Sequence, residues 1–462
     1  MKKPFSREAI SQLSIPTRIT TQFLWNKHKE VFKIPLYNLI EMKRQFWGFI
    51  KDPLYGYIKI TDLEKEVIDT RPVQRLRRIK QLSGSEYVYP AANHTRFEHV
   101  LGSMYLAGLM WENLPVEESP EEWQRIRLAA LLHDLGHGPF SHVFDPILIK
   151  HIGKTHEDLT SWLIKESEVG DVIEAHGFSK IGLSMLAVGK LTEDRPFKNQ
   201  MIAGAVDVDK LDFISRDSYH TGAGYGYVDV YRLIYTMDLR DDMLVVDSTA
   251  LSTLEAFLLA RLESFKTIYF HKASRAVQIM LVKALESAMS EFDLLKFQNP
   301  DEYLLLDDYW AWSLLKQCPS SRKIVEEIEC RRLLKCAYEV TLYTKDKLVS
   351  SIFTNESVRG RIEDEIALEA NLPREDVVID VPSLPSVPYS NAASELMDIP
   401  ILVEREGKKD VRSVGEISRI IDVLRVFMSI LRVYTREEHR AKVRKASEKI
   451  LGSLPSETKI SY

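Results

Sequence analysis

Histidine placement constrains this 462-residue chain more than any other feature. It has twelve histidines, and seven of them (His94, His99, His133, His137, His142, His151 and His156) crowd into one short stretch. At the centre of that stretch, RLAALLHDLG carries apolar residues at helical spacing and then His133-Asp134. Gly136, Gly138 and Pro139 follow at once, so the helix stops just past the pair. Two ligands at a helix end can point together into a cleft. Two ligands do not complete a metal site, so further ones must come from segments distant in sequence. The chain must therefore fold with several helices converging on one polar centre.

Candidates for the remaining ligands lie on both sides. HTRFEHVLG offers His94 and His99 at the start of an amphipathic helix, and DVDKLDFISRDSYH offers Asp209. Two imidazoles with Asp134 and Asp209 make a borderline ligand set. It suits a divalent Mn, Fe, Ni, Co or Zn, with Mg also admitted, better than Ca. Such a site keeps positions open for water and a phosphate oxygen. A lone His-Asp pair is ordinary surface chemistry; the joint pattern carries the reading.

Groups for proton transfer stand close by. HGPFSHVFD and KTHEDL supply His137, His142, Asp145, His156 and Glu157. Cleaving a phosphoester or phosphoanhydride needs a proton donor for the leaving oxygen, and histidine suits neutral pH. A carboxylate behind an imidazole fixes its tautomer. The expectation is His142 as acid or shuttle, supported by Asp145 and by His156 with Glu157. His137 reads equally as a further catalytic group or as a helix-terminal cap or group behind the metal.

Substrate contacts are expected from two later helices. Asp209, Phe213 and Asp217 are spaced i, i+4, i+8 and share a face, with Lys210 beside them. A metal carboxylate, a phosphate-binding lysine and a second carboxylate would then face one cleft. In ARLESFKTIYFHKASR, helical winding at about 100° per residue brings Tyr269, His271 and Lys272 near Arg261. The cations suit a polyphosphate, and Tyr269 suits a base.

A chain this long exceeds one small core. Residues 1–45 read as an N-terminal extension with some helix, and 46–62 as a short hairpin. Residues 63–335 read as long helices. Strand-like runs at 338–343, 377–381 and 399–404, Pro-rich turns at 382–388 and a helix over Glu416–Arg436 suggest an α+β lobe from 336 to 462. The expected fold is mainly α, a helical core over 46–335 with that smaller lobe. Apolar residues at 45% and charged residues at 28% exclude disorder. A formal net charge of −5 argues against nucleic-acid coating. The N-terminal MKKPFSREAISQLSIPTR lacks an apolar signal region, and no uncharged apolar run reaches the roughly 18 residues of a membrane helix. Cys318, Cys330 and Cys336 match no zinc or disulfide framework. A cytoplasmic protein is expected.

The order HTRFEH, LLHDLGHGPFSH, THE, DVDKLDFISRDSYHTG and YFHK resembles the deoxynucleoside triphosphate triphosphohydrolase branch of the HD superfamily. The likeness is dense from about 50 to 280 and returns weakly in LRVYTREEHR. It implies an HD-domain core that releases inorganic triphosphate from a dNTP, leaving a deoxynucleoside. By motif, His99, His133, Asp134 and Asp209 match the metal ligands. His142 and His156 match catalytic histidines, with Asp145 and Glu157 beside them. Arg96, Lys210, Arg261, His271 and Lys272 match phosphate contacts. Gln81, Leu82 and Asp217 match the deoxyribose site, and Tyr269 an aromatic near sugar and base. Phe213 departs from a tyrosine in the vertebrate relative, which removes one hydroxyl contact. Family members are often nucleotide-activated oligomers, so a homodimer or homotetramer with a nucleotide activator is implied. Asp69, Gln74 and Arg77 fit the activator pocket, which Arg432 and Arg436 would complete from a neighbouring subunit. Gly48 and Phe49 stand where the vertebrate relative supplies a lysine to that pocket.

Overall fold

The computed structural model describes residues 45–117, 119–192, 194–344, 355–385, 399–405, 408–423 and 427–452. The N-terminal extension expected over residues 1–45 lies, but for Gln45, outside them. So does part of the Pro-rich turn region at 382–388.

A hairpin opens the described chain. Strands β1 (Gly48–Asp52) and β2 (Gly56–Ile60) pair antiparallel, and Asp52 closes the turn by accepting from Leu54 N and Tyr55 N at 2.8 and 3.0 Å. Helix α1 (Asp62–Asp69) follows. It starts where it does because Thr61 and Glu64 form a reciprocal capping box.

The helical body is built on α2 (Arg96–Asn113), α3 (Pro120–Leu132), α4 (Asp145–Ile152), α5 (His156–Glu166) and α6 (Val208–Thr221). Each start has a local cause. Ser119 caps α3 and Pro120 sits in its first turn, while Thr155 and Asp158 form the capping box of α5. Asp207 caps α6 through Lys210 N. Leu128, Leu131 and Leu132 of α3 are all fully buried, on the face that periodicity assigns to them.

A second hairpin, β3 (Met237–Arg240) with β4 (Met243–Asp247), interrupts the stretch in which long helices were expected to dominate. Its turn uses Asp241 and Asp242, both in the left-handed region. Helix α7 (Leu251–Ser264) then runs into a π turn over Phe265–Tyr269 and stops. His271 caps a new helix, α8 (Lys272–Ala288), by accepting from Ala273 N at 3.2 Å. The winding at 100° per residue assumed for 261–272 therefore fails beyond Ser264. Helices α9 (Asp308–Gln317) and α10 (Pro319–Glu329) complete the body.

The smaller C-terminal part is α+β, as expected. Strand β5 (Lys335–Thr344), helix α11 (Glu356–Ala370), β6 (Val378–Asp380) and β7 (Ser383–Pro385) lead to β8 (Pro400–Arg405) and β9 (Lys408–Ser413). The helix expected over Glu416–Arg436 does not form. Short helical turns at Val414–Ile417 and Arg419–Val423 are followed by a strand, β10 (Phe427–Thr435), before α12 (Arg440–Leu451). β10 is a central strand, with β5 on one side and β6 and β7 on the other. Residues 430–435 are buried throughout. A strand buried on both faces reads as a continuous apolar run, which periodicity cannot separate from a buried helix. β8 pairs parallel with β4, so the second sheet joins distant parts of the chain.

The C-terminal sheet has its own apolar cluster with α11 and α12, including Ile366, Val377, Val433 and Val443. It is fastened to α8 by Arg275 to Asp380, Lys272 to Glu339 at 3.0 Å and Tyr434 Oη to the Lys272 carbonyl at 3.1 Å.

Gly136 sets how closely α5 approaches the end of α3. A Cβ there would stand 2.1 Å from the His156 carbonyl oxygen and 2.2 Å from Thr160 N, both backbone atoms. On α11, a Cβ on Gly360 meets nothing within 4 Å. Gly136→Ala should lower the melting midpoint, with overpacking costing about 1–3 kcal/mol or more. Gly360→Ala should hold or raise it, by up to about 1 kcal/mol of helix propensity. Calorimetry of the two variants checks the contrast; equal midpoints would refute the close approach.

Candidate metal centre and cleft

Four expected ligands converge. His99 lies in the first turn of α2, His133 and Asp134 directly follow α3, and Asp209 lies in the first turn of α6. His99 Nε2 stands 3.1 Å from Asp209 Oδ1, 3.2 Å from His133 Nε2 and 3.6 Å from Asp134 Oδ2. His133 Nε2 is 3.4 Å from Asp134 Oδ1 and 3.6 Å from Asp209 Oδ1.

The far side of each ring fixes its chemistry. His133 Nδ1 donates to the Ala130 carbonyl at 2.8 Å, and His99 Nδ1 meets Asp212 Oδ2 at 2.8 Å. Carbonyl and carboxylate oxygens only accept, so each Nδ1 carries the proton. With neutral rings, both Nε2 lone pairs then face one point together with two carboxylates. That arrangement demands a cation. Without one, burial disfavours a charged His99, yet Asp209, Asp212 and Asp134 still draw its pKa up to about 10. The donor set fits a divalent transition metal, and a carboxylate behind a ligating imidazole is the usual support for one.

Asp212 is itself held. Arg216 donates to its two oxygens at 2.8 and 2.9 Å and to Asp52 at 2.9 Å. Burial raises the Asp212 carboxyl, but Arg216 and His99 hold it down at about 2. Gly102 of α2 makes room for this pair, since a Cβ there would sit 1.9 Å from Asp212 Oδ1. Asp212 and Arg216 are absent from the expectations above. Their spacing, an acid and a base four apart on an otherwise buried face, was the available signal.

The loop after the pair is bonded on every side. Gly136 N donates to Thr160 Oγ1 at 2.8 Å, and Thr160 Oγ1 donates to the His133 carbonyl at 3.1 Å. Tyr303 Oη donates to the Gly136 carbonyl at 2.6 Å, and the buried Arg75 to that of His137 at 2.8 Å. Phe140 and Ser141 adopt left-handed backbone, and Asp308 holds the turn by accepting from Phe140 N and Lys80 N at 2.6 and 2.9 Å.

A histidine group stands beside the metal centre. His137 Nε2 meets Asp134 Oδ1 at 3.2 Å, and its ring stacks on His156 with centroids 3.9 Å apart. Burial, then Arg96 and His156, push its pKa well down, so it is neutral. Asp145 joins the other two, at 2.9 Å from His142 Nδ1 and 3.1 Å from His156 Nδ1. Although burial raises the Asp145 carboxyl, both imidazoles hold it well below the usual carboxylate range. Each ring keeps its Nε2 for another partner. Glu157 departs from its expected role: it pairs with Lys190 at 2.7 Å and touches neither ring.

One cavity of about 1600 Å³ is lined by His133, Asp134, Asp209, His137, His142 and His156, with His99 and Asp145 behind them. Gln81, Leu82, Arg96, Lys210, Asp217 and Tyr269 line it, as does Phe213. Arg96 donates to Asp134 and, at 2.7 Å, to Ser141 Oγ, while its Nη2 is buried without a partner among the described residues. Lys210 pairs with Asp207. Asp217 takes two hydrogen bonds, from His94 Nε2 at 2.7 Å and from the Tyr269 hydroxyl. His94, the alternative ligand candidate, thus serves Asp217 and not the metal set. Arg261 is buried behind this wall, its Nε and Nη1 unpartnered among the described residues, and burial lowers its pKa to about 10. His271 and Lys272 do not line the cavity; they cap α8 and pair with Glu339.

The expected activator residues fall into two sets. Asp69 pairs with Lys65 at 3.0 Å, and Arg77 donates to Gln74 at 2.9 Å over the Phe97 ring. Arg432 pairs with Glu339, and Arg436 with Glu327 and Asp376. The two sets share none of these contacts. Phe49, on β1, is exposed and packs edge-on to Tyr57.

A helical body whose helix ends and turns bring two imidazoles and two carboxylates together defines a candidate metal-binding centre of the His-Asp type. Comparison with known proteins agrees. Residues 96–217 match the HD domain and residues 228–461 the HD associated region. The chain belongs to the HD-domain family.

Among relatives, the deoxynucleoside triphosphate triphosphohydrolase SAMHD1 homolog of Dictyostelium discoideum is 31% identical over 326 residues. The match covers 65% of this chain and 61% of that protein, less than two thirds of its length. A hypothetical protein of Aquifex aeolicus superposes with TM-score 0.71 at 30% identity, covering 86% of this chain and 99% of that one. A phosphohydrolase of Bacteroides thetaiotaomicron superposes with TM-score 0.66 at 25% identity, covering 84% and 99%. Among the described residues, no helix is long and apolar enough to cross a membrane.

Asp212→Asn keeps the shape of the His99 support and removes its charge. Metal affinity should fall about 10- to 100-fold. Equilibrium dialysis against Mn²⁺ followed by metal analysis, with circular dichroism to confirm folding, checks this. Unchanged affinity would mean that Asp212 does not tune the ligand.

Proposed function

We propose that this protein is a metal-dependent phosphohydrolase that cleaves deoxynucleoside triphosphates to deoxynucleoside and inorganic triphosphate. One observation carries the reading. His133, Asp134 and Asp209, with the buried His99 behind them, and the Asp145-linked His142 and His156 lie on the same cavity as Asp217 and Tyr269. The likeness to the Dictyostelium deoxynucleoside triphosphate triphosphohydrolase SAMHD1 homolog supports the substrate class.

Each residue has work that follows from its contacts. His99, His133, Asp134 and Asp209 would hold the divalent metal. That ion, when bound, polarises a phosphate oxygen and lowers the pKa of water. Asp145 fixes the tautomers of His142 and His156 and leaves an Nε2 on each for the leaving oxygen. Neutral His137 backs Asp134 without adding charge. Arg96, with a free Nη2, and Lys210 face the phosphates. Asp217, aligned by His94 and Tyr269, has lone pairs left for a sugar hydroxyl, with Gln81, Leu82 and Phe213 around it.

In the same reading, residues 46–335 are the catalytic core and 336–462 a regulatory and oligomerisation lobe. The protein acts in the cytoplasm as a homodimer or homotetramer, with a nucleotide activator bound at Asp69, Gln74 and Arg77 and at Arg432 and Arg436 of a neighbouring copy.

A second reading has one observation in its favour. Arg261, His271 and Lys272, expected to grip a triphosphate, lie off the cavity. A smaller phosphate load, on a mononucleotide, cyclic nucleotide or nucleic-acid end, would need them less.

The phosphorus product decides between the two. The protein is incubated with Mn²⁺ or Mg²⁺ and each dNTP, singly and in pairs, and followed by phosphorus NMR. Inorganic triphosphate is expected, and activity confined to mixtures would mark an activator. Pyrophosphate or orthophosphate would sink the first reading. Asp209→Ala should abolish turnover and bound metal together. Asp145→Asn should keep the metal and lose roughly 10²- to 10⁴-fold in rate.

A further inference from the structure

The cavity does not end where one nucleotide would. It continues along α8 from Arg275 to Glu286, about 16 Å of helix, to a wall formed by α11 and β6. At about 1600 Å³ it exceeds the roughly 300–1,000 Å³ of an ordinary small-molecule site. The remote end has room for a second ligand.

Its charges say which kind. Lys150, Arg275 and Arg374 line this end and are matched, by Glu286 at 2.7 Å, by Asp380, and by Glu363 and Asp364. Lys283 and Arg359 line it too, and neither forms an ion pair among the described residues. Lys283 donates only to the Glu375 carbonyl, at 3.2 Å, and Arg359 has no side-chain hydrogen bond or ion pair among the described residues. Both side chains are half-buried. The nearest carboxylates are already engaged: Glu363 by Arg374 and Ile379 N, and Asp376 by Arg436. Burial, with Arg374 and Arg436 nearby, lowers the Lys283 pKa despite Glu363 and Asp376. Arg359 and Lys283 both act on Glu363, but that carboxylate is already bonded to Arg374 and Ile379 N, so two half-buried cations facing a cavity are further stabilised by an anion in it. Val282 and Val378 give the same space apolar walls.

We propose that Lys283 and Arg359 form a second anion site at the lobe end of the cavity, and that it takes a phosphate chain. Released inorganic triphosphate and the phosphates of a second nucleotide share that chemistry. The site rests on the functional reading above only for the choice of anion.

Calorimetric titration of the full chain in excess Mg²⁺ tests it, with two probes: inorganic tripolyphosphate and an α,β-imido deoxynucleoside triphosphate. Two binding events per chain are expected from this cavity, beside the activator event proposed at Asp69, Gln74 and Arg77 for the nucleotide probe. Lys283→Met with Arg359→Met should weaken one of them at least tenfold, whereas Asp209→Ala should weaken the other. Arg359→Gln alone, at a partly exposed position, should weaken the same event as the double variant and guards against misfolding. If tripolyphosphate alone fills the site, the released product is its ligand; if only the nucleotide fills it, a second nucleotide is. If neither probe shows an event that the double variant weakens, the proposal is overturned. If this second event is present while no dNTP is cleaved, the functional reading fails and the site stands.

Discussion

Everything at the candidate centre depends on one buried chain of charge: Asp52, Arg216, Asp212, His99. Arg216 is fully buried and bridges an acid on the N-terminal hairpin to an acid on its own helix. Asp212 passes the constraint to His99, whose other nitrogen faces the metal position. Removing one member of such a buried set typically costs about 3–5 kcal/mol, because the remaining charge is left without a partner. The hairpin is thus not an ornament on a helical core. Its turn acid, Asp52, anchors Arg216 and through it the ring of a ligand.

From this anchor the site divides its labour by protonation. The two imidazoles of the metal set are kept electron-rich by oxygens that only accept hydrogen bonds, the Ala130 carbonyl and Asp212. Next to it His137 stays neutral, and beyond it Asp145 serves two imidazoles with one carboxylate. Strongly perturbed groups therefore lie side by side with opposite tendencies, which is how acid and base roles are kept apart at one pH. The left-handed turn at Phe140–Ser141, held by Asp308, sits just before His142 and fixes where that exposed ring begins.

How much of this was legible in sequence varied with the kind of signal. The convergence of His99, His133, Asp134 and Asp209 was readable because histidine is scarce and its clustering is improbable. The first hairpin and three C-terminal strands, β5, β6 and β8, were readable from apolar and β-branched runs and turn residues; β7 and β9 were not. β10 was not, because a strand covered on both faces has no polar side to mark its period. His94 illustrates a different limit: residue type and proximity made it a ligand candidate as good as His99, and only the packing sends it to Asp217. Arg261, His271 and Lys272 were grouped by ideal winding, which the π turn and the break at His271 undo. Asp212 and Arg216 were overlooked because an internal salt bridge carries no motif.

The π turn has a consequence for chain length. It ends with Tyr269 giving its hydroxyl to Asp217, while Phe270, one residue on, packs with Leu262 and Ile430. A π turn holds one residue more than the α-helical turn it replaces. Losing that residue would advance the register and bring a phenylalanine, which has no hydroxyl to give, towards Asp217. The polar edge of the cleft is therefore set by the count of residues between Ser264 and His271 as much as by their identity.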